Sequence, residues 1–389
     1  MEKQDQPKRK NTGLIVFLLL AAAFLGAGIL FDFLGGHDVV AVRHSPRGVM
    51  GTEVTLTAVI RPGEDALGEQ ALAAAEAALR NVESRMSVHL DFSELSRLNA
   101  AEAGVPVELS AGTRDVLRLA GEVSLETDGA FDVTCRPVLE LWKRAAGEGR
   151  VPTEEELAEA RGRVGWHLLE LRETGAAKRR AGVSVDLGGI AKGYAVDRAV
   201  DAMLAAGCAG GLVDAGGDIR CFGRAAGEDG RWRIAVRDPF EPDRTFATIA
   251  LDEGAVCTSG NYRRFTTIQG KRYSHIVDPR TGRPAEAAPS VTVVAPQAAV
   301  ADAWATALSV LGEKGLAMIP PASGIEAMLV LGGPEGWRLA KTAGFDVLLA
   351  DGPDLSGQPA PAGGPAPGTV PATAPATHGA PATEGAGDE

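Results

Sequence analysis

Two hydrophobic periodicities run through this chain, and they are not interleaved in the way a parallel sheet requires. Leu72, Ala75, Leu79, Val82 and Met86 recur three and four positions apart, the apolar stripe of a helix. Val116, Leu119, Ala120 and Val123 repeat the pattern. Thr153-Glu154-Glu155-Glu156 is a capping-box start for a short helix. Residues 190–206 read as another helix, closed by Gly207 as its C-cap. Val54–Ile60 alternates as a strand. Strand-like runs then dominate at 211–213, 219–222, 232–236, 246–251 and 255–258. The runs 264–268 and 273–277, joined by Gln269-Gly270-Lys271-Arg272, read as a hairpin. Ser290–Ala295 is a strand, 300–311 a helix, and 327–331 a last strand. Helices and antiparallel-looking strands without regular βαβ alternation predict an α+β fold.

Both ends of the chain stand outside that pattern. Lys3, Lys8, Arg9 and Lys10 precede an apolar run over 14–31. As a helix at ~1.5 Å per residue it spans ~27 Å, close to the hydrocarbon core of a bilayer. Basic residues before it and Asp32 after it place the N-terminus in the cytoplasm and the rest outside. The run is longer than a signal core of ~7–15 residues, and no Ala-x-Ala site follows. It therefore reads as an uncleaved signal anchor, with a cleaved signal peptide as the alternative. At the other end, 24 of the 37 residues over 353–389 are Pro, Gly or Ala and none is Lys or Arg. Such a segment cannot bury a core and is expected to be disordered. The expected layout is a cytoplasmic basic N-terminus (1–13), a transmembrane signal anchor (14–34), a folded domain (35–352) and a tail (353–389).

The net charge of −12 argues against a nucleic-acid binder, which needs a basic face. Cys135, Cys208, Cys221 and Cys257 have neither C-x-x-C nor zinc-ligand spacing. An exported domain could form one disulfide, but three of the four sit in apolar runs and read as small buried side chains.

Four segments carry candidate chemistry. Residues 186–197 place Asp186 and the pair Gly188-Gly189 ahead of a helix with Lys192 in its first turn. Glycines let backbone N–H groups approach a phosphate, and a helix N-terminus favours an anion. The spacing is neither a Walker loop nor a Rossmann fingerprint. Asp214-Ala215-Gly216-Gly217-Asp218, between two strands, reads as a tight turn with Asp side chains capping local N–H groups. Asp302 and Thr306, four apart on a helix, share one face and are both hard oxygen donors of the kind Mg²⁺ takes. The bland alternative has Thr306 bonding its own helix backbone. His275 precedes the turn Asp278-Pro279-Arg280-Thr281-Gly282 and closes a strand. It could act as a base near neutral pH or be structural.

Taken together, these segments resemble the ApbE family, the FAD:protein FMN transferases. The resemblance runs in order from Met50-Gly51-Thr52 through Met86-Ser87, 93–99, Gly129-Ala130-Phe131-Asp132-Val133-Thr134 and 186–197. It continues through Gly216-Gly217-Asp218-Ile219, 258–262, 273–284 and 290–293 to 302–311. It implies a T-fold-like α+β domain that takes FAD as substrate with Mg²⁺. FMN would pass to a Ser or Thr hydroxyl of another protein, and AMP would leave. It further implies flavin contacts from Met50, Ala130, Phe131, Asp132, Asp186, Lys192 and Ile276. Mg²⁺ ligands would come from Asp302, Thr306 and the carbonyl of Gly189, with His275 acting in transfer. The chain departs from the family pattern at Gly189 (usually Ala), His89 (often Tyr) and Asn261 (commonly Asp).

Two further readings share these residues. Water in place of the hydroxyl would make the chain an FAD pyrophosphatase. A non-catalytic flavin-binding protein would bind FAD with indifference to Mg²⁺. No segment matches the family's acceptor pattern Asp-x-x-(Ser/Thr)-Gly-Ala-(Ser/Thr). The acceptor is therefore expected to be a separate exported or membrane-bound redox protein.

Overall fold

The computed structural model describes residues 39–352 apart from 228, 242 and 261–264. The anchor run, the tail and Asn261 lie outside the described residues. Among those described, no helix is long and apolar enough to cross a membrane.

The chain opens with β1 (Val40–His44), β2 (Val54–Ile60), α1 (Asp65–Met86), α2 (Glu94–Ala100), β3 (Val107–Glu108) and α3 (Ala111–Glu126). Then come α4 (Arg136–Gly147), α5 (Glu154–Arg161), β4 (Leu169–Leu171), β5 (Gly175–Lys178) and α6 (Ala191–Ala206). Strands follow as β6 (Gly210–Ala215), β7 (Asp218–Gly223), β8 (Trp232–Arg237), β9 (Thr245–Leu251) and β10 (Gly254–Gly260). The hairpin β11 (Phe265–Ile268) and β12 (Lys271–Ser274) precedes β13 (Ser290–Ala295) and α7 (Ala298–Leu311). β14 (Glu326–Gly333), β15 (Gly336–Lys341) and β16 (Leu349–Asp351) complete the described chain.

Eight strands form one antiparallel sheet in the order β1-β2-β6-β7-β10-β13-β14-β15. A three-stranded sheet, β16-β9-β8, shares a second core with its other face. Both faces of the large sheet are therefore buried, and its central strands are apolar at successive positions. In β14, Ala327, Leu329 and Leu331 join the core built with α1, α6 and α7. Met328 and Val330 of the same strand pack with Ile234, Phe246 and Phe345. A third cluster sets Val138, Leu141, Leu157 and Ala160 of α4 and α5 against Val277, anchoring the segment after β12.

The expected helices and strands are present, with shifted ends. Ile190 is the cap and α6 begins at Ala191, while Gly207 ends it in the left-handed region at φ 91°. The α5 capping box is complete: the Thr153 hydroxyl accepts from the Glu156 N–H, and the Glu156 carboxylate accepts from the Thr153 N–H. The hairpin differs from its expected register. Gln269 and Gly270 alone turn the chain, at φ 50° and 81°, so Lys271 and Arg272 belong to β12 and that strand ends at Ser274. His275 thus follows the strand instead of closing it. Residues 327–331 are not the last strand, since β15 and β16 follow. All four cysteines are free, with Cys221 and Cys257 buried and Cys135 and Cys208 half-buried.

Candidate active site

A cavity of about 350 Å³ opens where the N-terminal end of α6 meets α7 beside β7 and β10. Ten of the eleven site residues expected from sequence line it: Ala130, Phe131, Asp132, Asp186, Gly189, Lys192, His275, Ile276, Asp302 and Thr306. Met50 does not. It stands in a left-handed turn at φ 54° and packs against the core, while Thr52, two residues on, lines the cavity. His89 is exposed and takes no part in the lining.

Close helix contact makes the site. A Cβ on Gly193 would lie 2.2 Å from the Ala298 carbonyl oxygen, so only glycine lets α6 approach the start of α7 this closely. Across that contact, Asp197 accepts from the Ala298 and Ala299 N–H groups, each at 2.9 Å, one per carboxylate oxygen. Arg220 pairs with the same Asp197 carboxylate at 3.0 Å. Asp302 of α7 reaches back, its Oδ2 accepting from the Gly193 N–H at 3.1 Å.

That last bond bears on Gly189. In an α-helical ladder the Gly193 N–H would donate to the carbonyl four residues earlier. Here it donates to Asp302, and no N–H among the described residues donates to the Gly189 carbonyl. Thr306 stands against the same glycine, its Oγ1 3.0 Å from where a Gly189 Cβ would be. The Thr306 hydroxyl makes no bond to its own helix, unlike Ser309, which donates to the Ala305 carbonyl at 2.8 Å. A carboxylate, a hydroxyl and an undonated carbonyl thus belong to residues lining one cavity, all hard oxygen donors. Among the described residues no cluster of three or more His, Cys, Asp or Glu forms. A sparse oxygen set of this kind fits Mg²⁺, which keeps positions for water and substrate phosphate.

Charge favours the same occupant. The Lys192 ammonium contacts Asp218 Oδ2 directly and lies 3.6 Å from Asp302 Oδ2. Two carboxylates face one ammonium. Burial works against the lysine charge, but Asp218 and Asp302 outweigh it and hold Lys192 above the ordinary lysine range. The Asp302 carboxyl is pushed up to about 7, by burial first and the Asp218 charge second.

The remaining residues divide between presentation and support. Asp128 and Gly129, at φ 49° and 73°, turn the chain after α3 and bring Ala130 and Phe131 to the cavity. The Asp132 carboxylate is already engaged: Oδ1 accepts from the Thr134 N–H (2.8 Å) and hydroxyl (2.6 Å), and Oδ2 from the Trp166 N–H (2.7 Å). It braces the wall more than it offers a free acceptor. Asp186 accepts from the Gly188 N–H at 2.7 Å and shapes the glycine turn. His275 sits between the β11–β12 hairpin and the turn at Asp278, which Trp142 fixes by donating to the Gly282 carbonyl at 2.8 Å.

Sequence reasoning missed Asp218 as a site residue. Its segment is the tight turn expected, with Gly216 and Gly217 at φ 70° and 98° and Asp214 accepting from the Gly217 N–H at 2.8 Å. Asp218 itself begins β7, is 3% exposed, and faces Lys192. The one signal was its place in the Gly-Gly-Asp-Ile match.

Residues 50–329 match the ApbE family. The FAD:protein FMN transferase of Vibrio cholerae is 35% identical over 278 residues, covering 70% of this chain and 82% of that protein. That of Haemophilus influenzae is 33% identical over 286 residues, with the same two coverages of 70% and 82%. Among solved structures, the apo form of Pseudomonas stutzeri flavinyl transferase ApbE superposes with a TM-score of 0.69 at 32% identity, covering 81% of this chain and 98% of that one. Flavin transferase ApbE from Vibrio cholerae gives 0.69 at 32% identity, covering 80% and 100%.

Proposed function

This chain belongs to the ApbE family, and from that premise we propose that it is an FAD:protein FMN transferase. The observation that carries the reading to its residues is that Asp302, Thr306, Gly189 and Lys192 line one cavity together with His275.

A Ser or Thr hydroxyl of the acceptor attacks the FMN-side phosphorus of FAD. A phosphorus–oxygen bond forms to the hydroxyl oxygen, the bond to the bridging oxygen breaks, and AMP leaves. His275 takes the hydroxyl proton, a contribution of roughly 10²–10⁴-fold for a positioned base. Lys192 neutralises a phosphate oxygen as a point charge. Asp302, Thr306 and the Gly189 carbonyl would hold Mg²⁺, whose chemistry here is charge stabilisation on the pyrophosphate. Phe131 and Ile276 supply apolar wall for the flavin end.

The same reading includes the chain's surroundings. An anchor over 14–34, with Lys3, Lys8, Arg9 and Lys10 on its cytoplasmic side, would hold the 35–352 domain at the outer face of the cytoplasmic membrane. An exported or membrane-bound redox protein would be the acceptor, and sharing one membrane would raise its effective concentration.

Incubation with FAD, Mg²⁺ and a flavodomain acceptor tests the activity. Flavin fluorescence should migrate with the acceptor on a denaturing gel. Free FMN with an unlabelled acceptor would instead identify a pyrophosphatase.

A further inference from the structure

We propose that Asp218 is a positioning residue for this reaction: it holds the Lys192 ammonium to one side and so keeps Asp302 open to a cation. The inference rests on the transferase reading above and adds to it a residue with a stated task.

The geometry is a competition between two carboxylates for one ammonium. Asp218 is fixed first. The left-handed Gly216-Gly217 turn ends on it, and it pairs in register with Cys257 of β10. Its side chain is 5% exposed and cannot turn out to water. Lys192, in the first turn of α6, contacts Asp218 and stays 3.6 Å from Asp302 Oδ2. That Asp302 oxygen already accepts from the Gly193 N–H at 3.1 Å, and Oδ1 has no partner among the described residues. Asp302 is therefore held in place with one oxygen open.

Without the Asp218 charge, the poorly solvated Lys192 ammonium would have Asp302 as its one remaining acid among the described residues. A buried ammonium takes whatever carboxylate is within reach, because leaving it unpaired costs more. The resulting Lys192–Asp302 pair would be neutral and closed, and a divalent cation would have to break it. Asp218, which also lines the cavity, prevents this by holding Lys192.

The test measures Mn²⁺ binding by electron paramagnetic resonance, without FAD or acceptor, in the full chain and in Asp218→Asn, Lys192→Met and the double variant. The Mg²⁺ dependence of transfer is measured in parallel. Asp218→Asn should weaken Mn²⁺ binding about 10–100-fold, the usual range for a group behind a metal ligand. Half-saturating Mg²⁺ should rise by more than the maximal rate falls. In the Lys192→Met background the same substitution should shift binding by less than about threefold, because the two residues act as one unit. Lys192→Met alone should bind Mn²⁺ at least as tightly as the unaltered chain, which reads the same pair from its other side. An equal shift in both backgrounds would overturn the proposal and make Asp218 a partner of the ion itself. No shift in either background, or no Mn²⁺ binding by the unaltered chain, would also overturn it. Failure of the unaltered chain to transfer FMN would count against the function and leave the binding result standing.

Discussion

Asp197 and Asp302 cap each other's helices: Asp197 on α6 takes the first N–H groups of α7, and Asp302 on α7 takes the Gly193 N–H in the first turn of α6. Asp197 is 2% exposed and satisfied by two N–H groups and Arg220. Asp197→Ala should lower stability by about 3 kcal/mol, since it removes two charge-assisted bonds to the start of α7 and leaves the partly buried Arg220 with only its longer contact to Asp201, at 3.4 Å. Asp197→Asn should cost about half as much. Urea unfolding measures both, and a loss below about 0.5 kcal/mol for the alanine variant would mean the helices hold their contact by packing alone.

Asp302 makes cation binding depend on pH. Its carboxyl titrates near about 7 in the folded chain, against an ordinary 3.8. The raised value means the metal-free fold is favoured by the protonated form, and this contribution is lost as pH rises from about 4 through about 7. A cation needs the carboxylate, so binding has the opposite trend. Half-saturating Mg²⁺ should fall roughly fivefold between pH 6 and pH 7 and only about twofold more by pH 9. Flat Mg²⁺ dependence across pH 6–7 would place the ligand elsewhere.

Asp302→Asn keeps the side-chain shape and removes the one carboxylate assigned to the ion. Transfer should drop at least ~100-fold with little change in melting temperature. Thr306→Val should act in the same direction but less, because a neutral ligand contributes less. Near-normal turnover of the asparagine variant at limiting Mg²⁺ would remove the assignment.

His275→Ala should keep FAD binding within about threefold while transfer falls roughly 10²–10⁴-fold. Fluorescence quenching of the flavin measures the first quantity and acceptor labelling the second. Lost FAD binding with intact residual chemistry would make His275 a flavin contact.

The chain should modify a partner and not itself. Ser259 lies in the cavity wall, and Ser323 lies in the short loop before β14, yet neither sits in a segment resembling the acceptor pattern. Mass spectrometry after incubation with FAD and Mg²⁺ should find the chain at its unmodified mass. A stoichiometric FMN adduct on any of its Ser or Thr residues would refute this.

Long elements were legible because periodicity needs length to declare itself. The stripe from Leu72 to Met86 is the buried face of α1, and Val116, Ala120 and Val123 are buried on α3. The five-residue β1 and the two- to four-residue β3, β4 and β5 are too short for a period. α4 carries the same spacing in Val138, Leu141 and Ala145, three and four apart, but over barely two turns and among charged residues, and it was not picked out. β12 was misjudged because it begins with Lys271 and Arg272, two charges that stack over Tyr273 and Phe265 instead of marking a loop. The site was legible segment by segment, but not its internal pairing. Asp218 looked like turn chemistry because its partner Lys192 comes from another element, and only the fold sets the two face to face.

The pairing of β2 with β6 governs how this protein can be made. Val54 pairs with Ala215, and α1 through α6 all lie between them in the chain. β2 therefore emerges early in synthesis with β1 to pair on one edge, while its other edge waits until the chain has grown to Ala215. Closing so long a loop is slow compared with forming local helices. The cavity needs β7, β10 and α7 as well, so it takes shape only after most of the domain has been delivered. A chain truncated before α7 would keep several of its helices and strands but have no Asp302 or Thr306, and it would present unpaired sheet edges to its neighbours.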